Sequence, residues 1–185
     1  KENILTSHIP IILLTAKTAQ EEKIEGLESG ADDYLGKPFD LAELDVRIKN
    51  LLKIRAALKV RFATAIQLKP EEISDNSIDQ EFMIKALEII EQNIENETFS
   101  VDKFSQEMAI GTTQLNIKLR SLIGKSTNQF IKSTRLQKAA ALLIKETGTV
   151  SEIGFKTGFR STAYFVNSFK KQFGVPPGAY KKSIE

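Results

Sequence analysis

"VSEIGFKTGFRSTAYFVNSFKKQFGVPP", residues 150–177, carries five phenylalanines, one tyrosine and four basic residues in 28 positions. Either the rings are an exposed platform for stacking nucleic-acid bases, or they are the buried side of helices whose other side works. Spacing separates the two. Phe165, Phe169 and Phe173 recur every four residues, which places them on one stripe of a helix over 162–173. Asn167, Lys170 and Lys171 fall off that stripe, and Ser161 and Thr162 stand at its start. Upstream, Ile153 belongs to a short helix over 150–157 that Gly158 closes, with Phe155 and Phe159 on either side of the exit. Two short helices joined by a few residues with a glycine form a helix-turn-helix. A stacking platform needs exposed aromatics, usually on strands, and that context is missing. The rings are expected to be mostly core, with the polar side facing DNA.

The same unit occurs earlier, in "SVDKFSQEMAIGTTQLNIKLRSLIG" (100–124). A helix over 101–108 turns Val101, Phe104 and Met108 inward, and a turn falls at Ala109–Gly111. A helix over 112–122 then buries Leu115, Leu119 and Leu122 and exposes Thr112, Thr113, Asn116 and Arg120. Between the units, "STNQFIKSTRLQKAAALLIKE" predicts a helix over 127–146, about 20 residues and roughly 30 Å long. Successive major-groove faces of B-DNA lie about 34 Å apart. Such a rod holds two probing helices over adjacent grooves, an arrangement that often requires the duplex to bend.

Charge points the same way. Residues 1–76 carry 11 Lys/Arg against 13 Asp/Glu, and residues 77–110 carry 2 against 8. From Gly111 to Glu185 there are 13 basic and 3 acidic residues, net +10, within a chain of formal charge +2. Such asymmetry suggests a polyanionic partner, the alternative being a solvated lysine surface. At 41% hydrophobic and 27% charged, the chain is expected to be globular rather than disordered. It contains no cysteine and a single histidine, His8. Disulfides and thiolate chemistry are thereby excluded, and a metal site or a His-based nucleophile pair is disfavoured. His8 is read as a polar residue at a strand entrance. No membrane span or export signal stands out, so a cytoplasmic location is expected.

The first 55 residues alternate strand and helix. "IPIILLTA" reads as a strand buried on both faces. A helix over 18–29, a second strand in "DDYLGKPF" and a helix over 40–52 follow, which implies a parallel sheet. Two strands are only half of such a domain. Residues 56–76 lose periodicity around Pro70 and read as a connector, followed by a helix over 78–95. Capping boxes, which satisfy orphan amides reciprocally, are expected at Thr18/Glu21, Asp40/Glu43, Ser77/Gln80, Ser126/Gln129 and Thr149/Glu152. The fold class is mostly α: a partial α/β half-domain of flavodoxin-like type (1–55), a connector (56–76), and an all-α domain (77–185). The all-α domain has two helix-turn-helix units, about 100–123 and 150–174, joined by the long helix.

"TRLQKAAALL", "VSEIGFKTGF" and "YFVNSFKKQFGVPPGAY" together make residues 77–185 resemble the AraC-type DNA-binding domain. The resemblance implies that two helix-turn-helix units contact adjacent major grooves. By matching position, the base-reading candidates are Thr112, Thr113, Asn116 and Ile117 in the first unit and Ser161, Thr162, Ala163 and Asn167 in the second. Arg120, Arg160, Lys170 and Lys171 are assigned to phosphates, which position without reading sequence. The chain departs from the family pattern in places. Gly111 stands where a serine cap is usual, Ile117 where a basic contact is common, Gly154 where alanine is usual, and Lys181 replaces a frequent arginine. Ile117 suits a thymine methyl better than a phosphate.

"HIPIILLTA" and "GADDYLGKPF" resemble the second half of a response-regulator receiver domain. The resemblance makes Thr15 the switch hydroxyl, Lys37 the residue that neutralises the phosphoryl group, and Tyr34 the aromatic that changes rotamer. It also implies a cis Lys37–Pro38 peptide. Both Thr15 and Lys37 then sit past the C-terminal ends of parallel strands, where doubly wound sheets place their chemistry. The family's phosphate acceptor and its acidic pair for Mg²⁺ fall before residue 1. Asp32 and Asp33, preceding their strand, cannot replace them, and this stretch alone is not expected to accept a phosphate. The combination is most similar to the tail of hybrid two-component regulators, so the chain is expected to be a C-terminal piece of a longer, membrane-anchored regulator. An upstream histidine kinase and a homodimer formed through the receiver half are the implied partners.

The expected function is a sequence-specific, DNA-binding transcription regulator at the output end of a phosphorelay. Double-stranded DNA is its partner; no enzyme activity, cofactor, metal or small-molecule substrate is expected. The alternative is a protein-interaction or dimerisation module with a degenerate receiver and no specific DNA binding. "GADDYLGKP" is rejected as a phosphate loop because its spacing is wrong and Pro38 stands where Ser or Thr belongs. Glu88, Glu91, Glu95 and Glu97 read first as a solvated acidic face, second as a docking surface.

Overall fold

The computed structural model describes residues 3–4, 6–16, 31–64, 77–145 and 148–184. The expected helix over 18–29 and the Thr18/Glu21 box lie outside them. By internal compactness the chain divides into residues 1–82 with 121–124, and residues 83–120 with 125–185.

In the first unit, β1 (Ile12–Thr15) and β2 (Asp33–Gly36) pair in parallel, with Ile12 opposite Asp33 and Thr15 opposite Gly36. Leu35 is buried, but Leu14 is 43% exposed and Ile9 and Ile11 are exposed as well. The strand is as expected; its burial on both faces is not, because these side chains remain open to solvent. α1 (Leu41–Thr64) has 24 residues and runs twelve residues beyond the expected end at Leu52. "ALKVRFAT" lost its amphipathic period but contains no glycine or proline, and alanine, leucine, lysine and arginine favour helix without a packing stripe. Much of the expected connector is therefore helix, and its remainder lies outside the described residues.

The capping of α1 also differs. Asp40 accepts from the Ala42 amide at 2.7 Å rather than from that of Glu43, while Glu43 accepts from Arg47 at 2.7 Å instead of reaching back to Asp40. Arg47 also forks onto both oxygens of Asp33, at 2.8 and 2.9 Å. These carboxylates hold its guanidinium pKa well above the usual arginine value, the Glu43 bond first and the Asp33 bond second. Ser7 donates to Asp79 at 2.6 Å, both side chains being buried. His8 lies buried in the same turn.

α2 (Ser77–Gln92) starts with Ser77 already helical and ends three residues before the expected Glu95. Asn93 terminates it, its amide nitrogen Nδ2 donating to the Ile89 carbonyl at 3.0 Å.

The second unit holds the helical domain. α3 (Val101–Met108) is capped by Ser100, whose side chain accepts from the Lys103 amide, and stops at Ala109 with φ 55°. α4 (Thr112–Ile123) and α5 (Thr127–Ile144) follow. α5 opens on the expected Ser126/Gln129 box, and α6 (Val150–Lys156) on the expected Thr149/Glu152 box. α7 (Thr162–Phe173) is capped by Ser161 and closed by Gly174 at φ 80°. α8 (Pro177–Ile184) was not anticipated, although proline at a first helical position is a known start signal.

Around α5 the core is one cluster: Leu136, Ala139 and Ala140 from α5, Ile153 from α6, Phe159, Phe165 and Phe169, and Tyr180 from α8. Phe165 and Phe169 meet edge-on with centroids 5.7 Å apart, and Phe169 meets Tyr180 in the same way at 5.2 Å. Such tilted contacts add to area burial because ring edges are positive and faces negative. Phe173 is half-buried, while Phe155 and Tyr164 are 52% and 55% exposed. The expected core stripe is present, with these two rings as exceptions.

Candidate nucleic-acid interface

Each helix-turn-helix is set by its turn. In the first, Ala109 in the left-handed region lets the Ile110 amide donate back to the Ser105 carbonyl at 3.1 Å. Leu115 and Leu119 of α4 are fully buried, which turns Thr112, Thr113, Ile117 and Arg120 outward to solvent. Asn116 is half-buried and its Oδ1 accepts from the Thr127 amide at 3.2 Å, tying α4 to the start of α5. Gly111 precedes α4 with no side chain to cap it, and a Cβ there would meet nothing within 4 Å.

The second turn is built around Gly158, at φ 75°. Its carbonyl accepts from Arg135 Nη1 at 3.0 Å, while Nη2 of the same side chain donates to the Asn96 carbonyl at 2.6 Å. Arg135, on α5, thus joins the loop before the first helix-turn-helix to the turn of the second. It is 9% exposed, and burial lowers its pKa from the usual arginine value, yet an arginine stays charged there. Sequence reasoning missed this residue, because nothing in "RLQKAAALL" sets it apart from the neighbouring Lys138. Lys118 is buried too, at 1% exposed. Two of the thirteen basic residues behind the +10 are therefore internal.

At the start of α7, Ser161 is exposed and its hydroxyl accepts from the Tyr164 amide at 3.4 Å. Thr162 is half-buried, its hydroxyl 2.8 Å from that of Ser151. Ala163, Asn167, Arg160, Lys170 and Lys171 are exposed. Tyr164 was not among the candidates, yet it is exposed on the first turn, with Lys132 Nζ 5.9 Å from its ring centroid. α5, the rod between the readers, has 18 residues, which corresponds to about 27 Å.

In the first unit, the Lys37 amide donates to the Thr15 carbonyl at 2.6 Å and so joins the C-terminal ends of both strands. Thr15 and Tyr34 are half-buried and Lys37 is exposed. The Lys37–Pro38 peptide is cis, as expected. Asp33 is the first residue of β2 rather than preceding it. It is nevertheless at the opposite strand end from Lys37, occupied by Arg47. Among the described residues no His, Cys, Asp and Glu group suited to a metal ion occurs, and no helix is long and apolar enough to cross a membrane.

Two helix-turn-helix units on one linking helix follow, along the sequence, a parallel strand pair ending at Thr15 and Gly36: a receiver-like segment ahead of a helix-turn-helix domain. Comparisons with known proteins agree. Residues 104–183 match the family model described as a helix-turn-helix domain, and residues 2–49 match the response regulator receiver domain. The chain is 43% identical over 181 residues to Histidine kinase P4 of Formosa agariphila, covering 98% of this chain and 13% of that protein. It is 36% identical over 84 residues to the HTH-type transcriptional regulator MtrA of Neisseria gonorrhoeae, 45% of this chain and 28% of that one. A crystal structure from Chromobacterium violaceum, a transcriptional regulator described as containing an AraC-type DNA-binding domain, superposes with TM-score 0.53. At 24% identity over 58% of this chain and 96% of that one, it speaks for the fold. The chain carries a receiver-domain segment ahead of a helix-turn-helix domain, and the fold of the latter is that of an AraC-type DNA-binding domain. It spans only a small part of the curated relatives named here.

Proposed function

We propose that residues 77–185 bind specific DNA sites as the output end of a two-component phosphorelay, with α4 and α7 reading adjacent major grooves. Base contacts are assigned to Thr112, Thr113, Asn116, Ile117, Ser161, Thr162, Ala163 and Asn167, and phosphate contacts to Arg120, Arg160, Lys170 and Lys171. The observation that carries this reading is the orientation of the two helices. Each buries its apolar stripe and turns small polar and basic side chains outward, the composition that major-groove reading requires. Selection from a random duplex pool followed by a salt titration tests it. Affinity for the selected site should fall steeply with salt and exceed that for random duplex by at least about a thousandfold. Asn167→Ala should relax base preference, whereas Lys170→Ala should weaken all sequences alike and lower the salt slope by about one. Identical behaviour of the two variants would overturn the assignment of faces.

Thr15, Tyr34 and Lys37 are assigned to the receiver's switch. The upstream partner is a histidine kinase of the parent protein, and pairing of two receiver segments makes the regulator a homodimer. The exposed apolar side chains of α1, with Leu41 at 75%, Val46 and Leu52 at 55% and Ile54 at 58%, support pairing, because a surface helix normally hides such a set. Light scattering across a dilution series checks it: a monomer at all concentrations would remove this element.

A further inference from the structure

Within the second unit, a cleft of about 480 Å³ opens between the 96–99 loop, the first turns of α5 and the turn before α7. Its volume lies within the usual range for small-molecule sites, about 300–1,000 Å³. Phe99, Ile131 and Phe159, all buried, give it apolar walls, and the Tyr164 ring lies 6.1 Å from that of Phe159. The charges on it are unequal: Lys132, Arg135 and Arg160 against Glu97 alone. Asn128 and Gln129 bring the N-terminal end of an 18-residue helix to the wall, where the helix dipole favours an anion.

The wall also contains an unmet demand. Arg135, nine-tenths buried, spends both terminal nitrogens on backbone carbonyls, and its Nε–H has no hydrogen-bond partner. A buried donor left unsatisfied costs free energy and calls for an acceptor. A DNA phosphate on a convex duplex has no use for the Phe99–Ile131–Phe159 wall. A small molecule with an anionic head and an apolar body uses both.

We propose that this cleft binds an amphipathic carboxylate, its head held by Arg135 and Lys132 and its aromatic or aliphatic body against Phe99, Ile131 and Phe159. Arg160, at the rim, is shared with the phosphate contacts proposed above, so occupancy competes with DNA; that second half rests on the DNA-binding reading. The cleft is then an input to the reader separate from the receiver.

The test titrates the 185-residue chain, ¹⁵N-labelled, with 3-phenylpropionate at constant ionic strength, using 3-phenylpropanamide and inorganic phosphate as comparators. Saturable shifts are expected at the Ile131, Lys132, Gly158 and Arg160 amides, with a Kd of about 1 mM for a fragment of this size. The amide should bind about tenfold more weakly. Lys132→Gln should weaken the acid about threefold without changing the amide. Arg135→Lys should weaken it more, and Lys132→Gln carries the test if that chain does not fold. Equal binding of acid and amide, equal shifts with phosphate, or no saturation overturns the site. A duplex Kd unmoved by saturating acid overturns the competition. Absence of duplex binding without any acid sinks the DNA reading alone and leaves the spectra unaffected.

Discussion

Replacing Gly158 by alanine separates two reasons for keeping a glycine. The residue sits at φ 75°, and a Cβ built there lies 2.5 Å from the Ile94 carbonyl oxygen and 2.7 Å from Arg135 Cζ. Left-handed backbone costs an alanine about 1–2 kcal/mol. The overlap also forces the Arg135 guanidinium back from Gly158 O and strains its bond to Asn96 O. Hydrogen bonds from a charged donor are each worth about 1.5–3 kcal/mol, so the total is about 3–5 kcal/mol. Gly174→Ala is the internal control. Its φ is 80°, yet nothing lies within 4 Å of the added methyl, so only the backbone strain of about 1–2 kcal/mol remains. The loss of unfolded-state freedom is common to both variants and cancels. For a unit of roughly 100 residues each kcal/mol moves Tm by about 4–8 °C. Thermal melts followed by circular dichroism should therefore place Gly158→Ala at least about 12 °C below the parent and well below Gly174→Ala. If the two alanine variants agree to within about 0.5 kcal/mol in urea, the bridge from Arg135 to both carbonyls contributes nothing and the reasoning fails.

Gly111→Ser should stabilise the first helix-turn-helix by a few tenths to about 1 kcal/mol, since it adds a missing N-cap acceptor in open space; a lower urea midpoint would contradict this. Glu152 accepts from the Thr149 amide and hydroxyl at 2.8 and 3.0 Å, which holds its carboxyl below the usual 4.5, the backbone bond contributing most. With the folded pKa depressed, its stabilisation is complete above about pH 4.5 and disappears as pH falls through the lower folded value. Urea midpoints between about pH 6 and pH 3 should show that loss, and Thr149→Ala, which keeps the amide and removes only the hydroxyl bond, should reduce it in part while costing about 1 kcal/mol at neutral pH. Phe169→Ala, at a fully buried ring, should cost about 3–5 kcal/mol. Phe155→Ala, at a ring 52% exposed, should stay within about 0.5–1 kcal/mol; similar losses would mean the stripe has been drawn on the wrong side.

The helical domain was legible because several signals coincided at each boundary. The 100–124 and 150–174 units have a cap residue, a period-four apolar stripe and a turn residue in step, and their helices begin and end within a residue of the expected places. α1 was misjudged because periodicity reports burial: a helix continued by propensity through "ALKVRFAT" leaves no stripe to see. α8 was missed because "VPPGAY" looks like a loop to any rule that treats proline and glycine as breakers, although Pro177 occupies the position where proline starts a helix. At the site, outward positions such as Thr113 and Asn167 follow from the stripe alone. Arg135 did not, since no local pattern marks a cation whose surroundings come from residues 23 and 39 positions away.

Three of the side chains assigned to base reading already have structural work. Asn116 fastens α4 to α5, Ser161 caps α7, and Thr162 is braced by Ser151. Retargeting this regulator to a new site by changing those three would alter the scaffold along with the code. Thr113, Ile117, Ala163 and Asn167 have no such bond among those described above, so a library aimed at new target sequences would retain more folded members if its diversity were confined to them.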